Sequence, residues 1–173
     1  LVESDNIRLD LSRMSARFYP NQPDHIFGVT GTNGKTSVAH FVAQLYGMKN
    51  VPAASLGTLG LMSDKYKVEG ALTTADPINL HRMLHNAHDK GIDILAMEIS
   101  SHGLDQHRAD SVTFEAAAFT NLSQDHLDYH SNMNDYFDAK ARLFTQLLKP
   151  GSHAIINADD PWGQKLMDIC HDK

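Results

Sequence analysis

The chain has 173 residues, the usual size of one domain, and a formal net charge of −6, which argues against a broad nucleic-acid-binding surface. Cys170 is the only cysteine, so an internal disulfide is excluded and a reducing compartment is favoured. No apolar run approaches the roughly 20 residues that span a bilayer, and the first residues lack the features of a signal peptide, so no contact with a membrane is expected.

Helical and extended patterns alternate along the chain. Residues 9–18 carry a loose helical period, and residues 19–23, with two prolines, indicate a connector. Asp76 and Pro77 are expected to cap and open one of the later helices. The expected helices after the connector are 36–46, 78–90, 133–148 and 161–170. The expected strands are 25–30, 51–56, 92–99, 114–120 and 153–157.

This alternation predicts an α/β fold with a mostly parallel sheet and helices on both faces. The runs at 92–99 and 114–120 are almost continuously apolar, which is typical of strands buried on both faces. In such sheets ligands bind beyond the carboxyl ends of the strands. Because each polar motif described below follows a predicted strand, we expect a binding site at that edge.

The first polar motif is Gly28-Val29-Thr30-Gly31-Thr32-Asn33-Gly34-Lys35-Thr36, between a strand and a helix. Its glycines let backbone N–H groups wrap phosphates, while Lys35 can reach the terminal phosphates and Thr36 can hold Mg²⁺. The strict phosphate-loop pattern needs glycine at Val29, so the match is to a variant. The motif predicts a nucleotide site, and the alternative is a glycine-rich turn with a solvated lysine.

The second motif begins with Glu98 at the end of a predicted buried strand. That position suits a ligand for a metal ion on a nucleotide, and alternatively a cap for a neighbouring helix. The polar segment 100–108 follows, in which Arg108 could clamp an anion or form a surface ion pair. Its Ser-His pair lacks the G-x-S-x-G elbow of hydrolases, so a substrate-binding loop is the preferred interpretation.

The third motif places His126 and His130 after the next predicted strand. A structural zinc site is disfavoured, because no third ligand has a typical spacing and Cys170 is remote. One histidine that joins Glu98 at a site for a hard metal is the preferred interpretation.

Lys140 lies at the centre of the apolar stripe of helix 133–148, whereas Asp138 and Arg142 lie opposite. Burial would lower the pKa of Lys140 and favour the neutral, nucleophilic amine. Such an amine can form a Schiff base, or can react with CO2 to give a carbamate that bridges metal ions. The alternative is a lysine that passes the stripe to reach solvent. The stripe consists of Met133, Tyr136, Phe137, Leu143, Phe144 and Leu147.

Together these motifs resemble the Mur ligase family, and within it the MurE branch. The resemblance runs from about Arg8 to the end, with Ala75 where the branch usually has proline and Leu72 where it often has asparagine. The motifs that carry it are Thr30-Gly31-Thr32-Asn33-Gly34-Lys35-Thr36, Thr73-Thr74 with Asp76-Pro77, Met97-Glu98-Ile99-Ser100-Ser101-His102-Gly103-Leu104, Phe119-Thr120-Asn121-Leu122, Asp125-His126-Leu127-Asp128-Tyr129-His130, and Ala139-Lys140 through Leu143-Phe144.

The resemblance implies the central, P-loop NTPase-like domain of an ATP-dependent ligase of peptidoglycan precursor synthesis. Such ligases join meso-diaminopimelate or lysine to UDP-N-acetylmuramoyl-L-alanyl-D-glutamate. ATP phosphorylates the D-glutamate side-chain carboxylate, the incoming amine attacks this acyl phosphate, and ADP and phosphate leave.

The resemblance also implies roles for individual residues, with Lys35, Lys140 and His126 as catalytic. Thr36 would bind the first of two Mg²⁺ ions, Glu98 both ions and His126 the second. Lys140 would carry a CO2-derived carbamate that positions the second ion. ATP would contact Gly31, Thr32, Asn33, Gly34, Lys35, Thr36 and Ser37. The muramoyl dipeptide would contact Thr73, Thr74, Ser100, Gln106 and Arg108.

The same comparison predicts the domain organisation. Residues 1–23 are expected to be a remnant of an N-terminal domain and linker, and residues 24–173 the central ATP-binding domain, without a C-terminal domain. We expect such a piece to be monomeric, bacterial and cytoplasmic, and to bind Mg-ATP weakly without turnover.

Three other functions compete with this one. Another ligase of the superfamily, such as folylpolyglutamate synthase or cyanophycin synthetase, is the nearest, although Thr73-Thr74 and Ser-Ser-His-Gly-Leu favour the MurE branch. A GTPase is disfavoured because an Asn/Thr-Lys-x-Asp motif is absent from the sequence. In a non-catalytic nucleotide-binding module, Lys140 would be only structural.

Overall fold

The chain consists mainly of parallel strands separated by helices. A computed structural model describes residues 3–64, 66–70 and 72–171. The strands are β1 (His25–Thr30), β2 (Ala53–Gly57), β3 (Gly60–Met62), β4 (Lys67–Val68), β5 (Ile94–Glu98), β6 (Phe114–Phe119) and β7 (Leu148–Ile156). The helices are α1 (Ile7–Phe18), α2 (Lys35–Met48), α3 (Pro77–Asp89), α4 (Ser101–Asp105), α5 (Met133–Arg142) and α6 (Pro161–His171), and a π-helical turn (Leu143–Leu147) follows α5.

The strands form one sheet in the order β4-β3-β2-β5-β1-β6-β7. Neighbouring strands are parallel from β2 through β5, β1 and β6 to β7. At the other side of β2, β3 and β4 continue the sheet as antiparallel edge strands. The predicted, mostly parallel sheet is therefore confirmed. Its centre is β1, flanked by β5 and β6, so the loops that follow these three strands meet at one edge of the sheet.

Helices cover both faces of the sheet, as predicted. Leu95 and Met97 of β5 join the larger core cluster, which also contains residues of α3, α5 and α6. Ala96 joins a smaller cluster with Ala39 of α2. Since alternate strand residues point to the same face, Glu98 faces the side that α2 covers.

Several boundaries differ from the predicted ones. The helix expected over 133–148 ends as α5 at Arg142, and β7 begins at Leu148 instead of 153. The π-helical turn continues the helix as far as Leu147, and Pro150 explains why it goes no further, because proline cannot continue a helix and favours an extended residue before it. The strands β3 and β4 were not predicted, and α4 forms inside the expected polar loop.

The first helix packs with an unusual polarity. α1 contacts α3 and buries Ser12 and Ser15, while its apolar stripe faces outward. The exposed fractions along that stripe are 77% for Ile7, 40% for Leu11, 62% for Met14 and 78% for Phe18. Among the residues that the structure describes, no helix is both long and apolar enough to cross a membrane.

Candidate functional site

The loop between β1 and α2 needs glycine at two positions. Gly31 has a φ of +143° and Gly34 one of +87°, values that favour glycine. A Cβ on Gly31 would also lie 1.9 Å from the Thr120 hydroxyl oxygen. No side chain caps α2 at Gly34, so the first N–H groups of α2 are available to an anion. The predicted ATP contacts, residues 31–37, all lie at this junction.

The residues after β6 hold this loop in place, and their role was not predicted from the sequence. Asn121 accepts a hydrogen bond from the Asn33 N–H (3.0 Å) and donates one to the Asn33 carbonyl (3.1 Å). Thr120 donates to the same carbonyl at 2.7 Å, and the Thr32 N–H donates to the Asn121 carbonyl at 2.8 Å. Their position at the carboxyl end of the strand beside β1 was the available signal.

Lys35 is folded back on its own loop. Its Nζ donates to the carbonyls of Gly31 (3.0 Å) and Thr32 (2.8 Å). Burial lowers the pKa of Lys35, and the negative charges of Glu98 and Asp125 oppose that shift. Because a phosphate oxygen is a stronger acceptor than a carbonyl, an anion in the loop would compete for these N–H bonds.

Glu98 and Thr36 meet directly. The Thr36 hydroxyl donates to Glu98 Oε2 at 2.8 Å, and the Thr58 N–H donates to Oε1 at 3.0 Å. Glu98 is 3% exposed, and its carboxylate occupies space that a side chain on Gly57 would fill, since a Cβ there would lie 1.9 Å from Oε1. The acid therefore bonds to the first turn of α2 through a side chain and does not cap the helix N–H groups.

We expect Gly57→Ala to destabilise the chain by about 1–3 kcal/mol, because the added methyl group overlaps the Glu98 carboxylate. Gly47→Ala, near the end of α2, is the matched control, because a Cβ there meets nothing within 4 Å. This control is expected to stabilise the helix by about 0.5 kcal/mol. Urea unfolding of both variants measures the difference, and the same sign for the two changes would contradict the prediction.

Lys140 is buried, with 1% of its surface exposed, so the alternative of a lysine that reaches solvent is wrong. Its Nζ donates to the Gly31 carbonyl at 2.8 Å and lies 4.5 Å from the centre of the Tyr136 ring. Two lysine amines, those of Lys35 and Lys140, thus share one carbonyl. Burial lowers the pKa of Lys140 to about 7, and the charge of Lys35 adds to this effect.

His126 belongs to an aromatic group beside the loop. Its ring centre lies 5.0 Å from that of His102 and 5.9 Å from that of Tyr136. Tyr136 in turn shares a hydrogen bond with the Thr32 hydroxyl at 3.2 Å. Through Tyr136, His126 is therefore near Lys140 and the loop. The hydrogen bonds of the described residues do not join His126 to Glu98 or Thr36.

Four of the five predicted substrate contacts are joined by hydrogen bonds, and the fifth, Thr73, bonds to Thr58. Thr74 accepts from the Ser100 N–H at 2.9 Å, and Ser100 Oγ caps α4 by accepting from the Gly103 N–H at 3.0 Å. Arg108 donates to the Thr74 carbonyl at 2.7 Å and to Gln106 Oε1 at 2.6 Å. Its guanidinium is thus held by uncharged acceptors, which a substrate carboxylate could replace. Thr73 lies beside Thr58, with 3.0 Å between their hydroxyl oxygens.

The donor atoms in the site fit a hard cation better than zinc. The Thr36 hydroxyl and the Glu98 carboxylate are oxygen donors within 2.8 Å of each other at the start of α2, and Mg²⁺ prefers such oxygens together with phosphate oxygens. Within the described part of the chain, no three His, Cys, Asp or Glu side chains come together in a way that could hold a metal ion.

A parallel α/β sheet with a glycine loop between its central strand and the next helix defines the chain as a phosphate-loop type of domain. The chain belongs to the Mur ligase family, since residues 29–173 match the model of the Mur ligase middle domain. The predicted family and fold are therefore confirmed.

Individual relatives are similar over most of the chain. It is 51% identical over 160 residues to the UDP-N-acetylmuramoyl-L-alanyl-D-glutamate–2,6-diaminopimelate ligase of Agrobacterium fabrum, a match that covers 92% of the chain and 33% of that protein. A solved structure of a ligase with the same name superimposes with a TM-score of 0.85 at 32% identity, covering 99% of this chain and 35% of the other. The chain thus spans about a third of the length of these relatives.

A more distant enzyme shares the fold alone. A bifunctional folylpolyglutamate synthase/dihydrofolate synthase superimposes with a TM-score of 0.74 at 17% identity, covering 95% of this chain and 45% of the other. The sequence relatives therefore favour the diaminopimelate ligases over this alternative.

Proposed function

We propose that the chain is the ATP-binding part of a ligase that adds meso-diaminopimelate to UDP-N-acetylmuramoyl-L-alanyl-D-glutamate in bacterial peptidoglycan precursor synthesis. The observation that carries the proposal is the convergence of Thr36, Glu98 and Lys140 on one glycine loop. The name shared by the similar proteins supports diaminopimelate over lysine as the added amino acid.

The nucleotide would lie with its terminal phosphates at the start of α2. There the unpaired N–H groups and the positive end of the helix dipole favour negative charge. Lys35 would exchange the Gly31 and Thr32 carbonyls for phosphate oxygens, because a charged acceptor forms the stronger hydrogen bond. The same amine would then stabilise the charge that develops on the transferring phosphoryl group.

We propose sites for two Mg²⁺ ions. Thr36 and Glu98 would hold the first ion. Glu98, His126 and the carbamate of Lys140 would hold the second. Bound Mg²⁺ would neutralise negative charge that otherwise keeps the two anionic reactants apart. The buried oxygen pair of Thr36 and Glu98 supports the first position. The place of His126 beside Tyr136, on the same side of the loop as Lys140, supports the second.

The Lys140 carbamate would form from the neutral amine. Nζ attacks the carbon of CO2, an N–C bond forms as one C–O π bond opens onto oxygen, and a proton leaves the nitrogen to water, so the neutral amine becomes an anion. A pKa of about 7 supports this step, because a large fraction of the amine is neutral near physiological pH. Replacing a buried ammonium by an anion also suits a site that must hold cations.

The muramoyl dipeptide would bind at Thr73, Thr74, Ser100, Gln106 and Arg108. Arg108 would exchange Gln106 for a substrate carboxylate, because the bidentate charged pair is stronger. The D-glutamate carboxylate oxygen would then attack the γ-phosphorus while the bond to ADP breaks. The amine of diaminopimelate would attack the acyl carbon, and phosphate would leave.

We also propose that residues 1–23 are a remnant of an N-terminal domain and linker, while residues 24–173 form the central domain. The outward apolar stripe of α1 and the start of the family match at residue 29 support this division. The whole ligase is proposed to act as a monomer in the bacterial cytoplasm. Residues 1–173 alone are expected to bind Mg-ATP weakly without forming product.

Phosphate release by the whole ligase tests the proposed function. With Mg-ATP, we expect release only when UDP-N-acetylmuramoyl-L-alanyl-D-glutamate and diaminopimelate are both present, because the acyl phosphate needs both partners to turn over. Lysine in place of diaminopimelate is the matched control and is expected to be a poor substrate. Release with a folate and glutamate instead would preserve the fold and overturn the assignment.

A further inference from the structure

Thr58 follows β2 directly and lies in a turn whose two ends are paired strands. It is the first residue of the two-residue turn that joins β2 to β3, where Gly57 pairs with Gly60. Two-residue hairpin turns fix the register of their strands. Gly60 has a φ of +84°, and a Cβ there would lie 1.9 Å from the Val68 carbonyl, so β4 leaves the turn little room to move.

Thr58 contacts the Glu98 carboxylate through two separate groups. Its backbone N–H donates to Oε1 at 3.0 Å, and its hydroxyl lies 3.4 Å from Oε2. The same hydroxyl lies 3.0 Å from the Thr73 hydroxyl, which limits its rotation and keeps it on the side of the carboxylate. Both carboxylate oxygens are thereby in contact with Thr58.

Thr36 is the other donor to this carboxylate among the described residues. A cation bound with Glu98 would compete with the Thr36 hydroxyl for carboxylate Oε2, whereas the Thr58 N–H donates to the other oxygen, Oε1. Thr58 remains as the residue that orients Glu98. We propose that Thr58 is a positioning residue, whose hydroxyl holds the Glu98 carboxylate in place for a divalent cation bound with the nucleotide. This inference rests on the proposed nucleotide site.

The test is a Mn²⁺ titration, followed by electron paramagnetic resonance, of the 173-residue chain with saturating ATP. Thr58→Val removes the hydroxyl and keeps the N–H, and is expected to weaken the apparent Mn²⁺ affinity about threefold to tenfold, the value of one hydrogen bond. Thr58→Ser keeps the hydroxyl and is expected to stay within about twofold. ATP affinity without metal, measured by calorimetry, is expected to be equal in all three proteins.

Thr113→Val is the matched control, because Thr113 lies just before β6, at the amino ends of the strands and away from the site. This variant is expected to bind Mn²⁺ like the unmodified chain. Should Thr58→Val fail to fold, Thr58→Ala removes the same hydroxyl. Equal Mn²⁺ affinity in the hydroxyl-free variant, or equal loss in Thr58→Ser, would overturn the role of Thr58 alone. If the unmodified chain binds no Mn²⁺ with ATP, the nucleotide site and the role of Thr58 both fail.

Discussion

The free energy of unfolding of Lys140→Met is expected to exceed that of the unmodified chain by about 1–4 kcal/mol at about pH 6. This is the range found when buried ionic groups are replaced by apolar ones. Methionine is unbranched like lysine, only one atom shorter and apolar, and the neighbouring Tyr136, Phe137 and Leu143 are each 0% exposed. The lost hydrogen bond to the Gly31 carbonyl offsets about 1 kcal/mol of this gain.

The direction of the pH dependence follows from the lowered pKa of Lys140. Below about 7 the folded and unfolded states both carry the proton, and the folded state bears the full cost of a buried charge. Between about 7 and the ordinary value of 10.5 the unfolded state binds more protons, so the free energy of unfolding rises with pH. The advantage of Lys140→Met should therefore be largest below about pH 7 and should shrink towards about pH 10.

Urea unfolding at several pH values measures this difference. Lys90→Met, on an exposed lysine that follows α3, is the matched control and should change stability by less than about 0.5 kcal/mol. A Lys140→Met advantage that stays constant with pH would contradict the assignment. With ¹³CO2 in solution, the unmodified chain should gain a carbamate carbon signal in ¹³C NMR spectra as the pH rises through 7. The Lys140→Met variant should lack this signal.

The buried position of Lys140 could be predicted because a single helix carries the whole signal. The 100° advance per residue placed it among apolar neighbours, and the structure leaves it 1% exposed. The Asp76 cap is a similar case, since its carboxylate accepts from the N–H groups of Ile78 and Asn79. Both features depend on residues within a few positions of each other, which a linear sequence displays directly.

Contacts between distant segments could not be predicted in the same way. Thr58 and Glu98 are 40 residues apart, and the three-residue strand β3 that fixes the turn is too short to show a period. Asn121 was noticed as part of a motif, but its bonds to Asn33 depend on the pairing of β1 with β6. The end of α5 was misplaced because the apolar stripe continues through the π-helical turn as far as Leu147.

Glu98→Gln is expected to change ATP binding in opposite directions without and with Mg²⁺. Without metal, the Glu98 carboxylate repels the nucleotide phosphates from its buried position beside Thr36, and two unit charges about 4 Å apart interact by about 4 kcal/mol at an effective dielectric constant of about 20. Glutamine removes that charge and keeps the shape of the side chain. ATP alone should therefore bind more tightly to the variant.

With Mg²⁺ present, the expectation changes sign. The amide of the introduced glutamine offers one neutral oxygen where the carboxylate offered a full charge, and hard cations prefer the charged oxygen. We expect the ATP dissociation constant without Mg²⁺, divided by that with Mg²⁺, to be about 100-fold lower in the variant than in the unmodified chain. The removed repulsion lowers the first constant, and the lost coordination raises the second. Calorimetric titration of ATP into the chain, with Mg²⁺ or with a chelator, measures both constants.

Glu115→Gln is the matched control, because Glu115 lies on β6, is about half exposed and pairs with His25 away from the loop. Its ratio should equal that of the unmodified chain. If Glu98→Gln weakened ATP binding equally with and without Mg²⁺, Glu98 would serve only to hold Thr36 and Thr58 in place. Opposite shifts under the two conditions can arise only if its charge faces the bound phosphates and the cation together, because a loss of packing alone would weaken both.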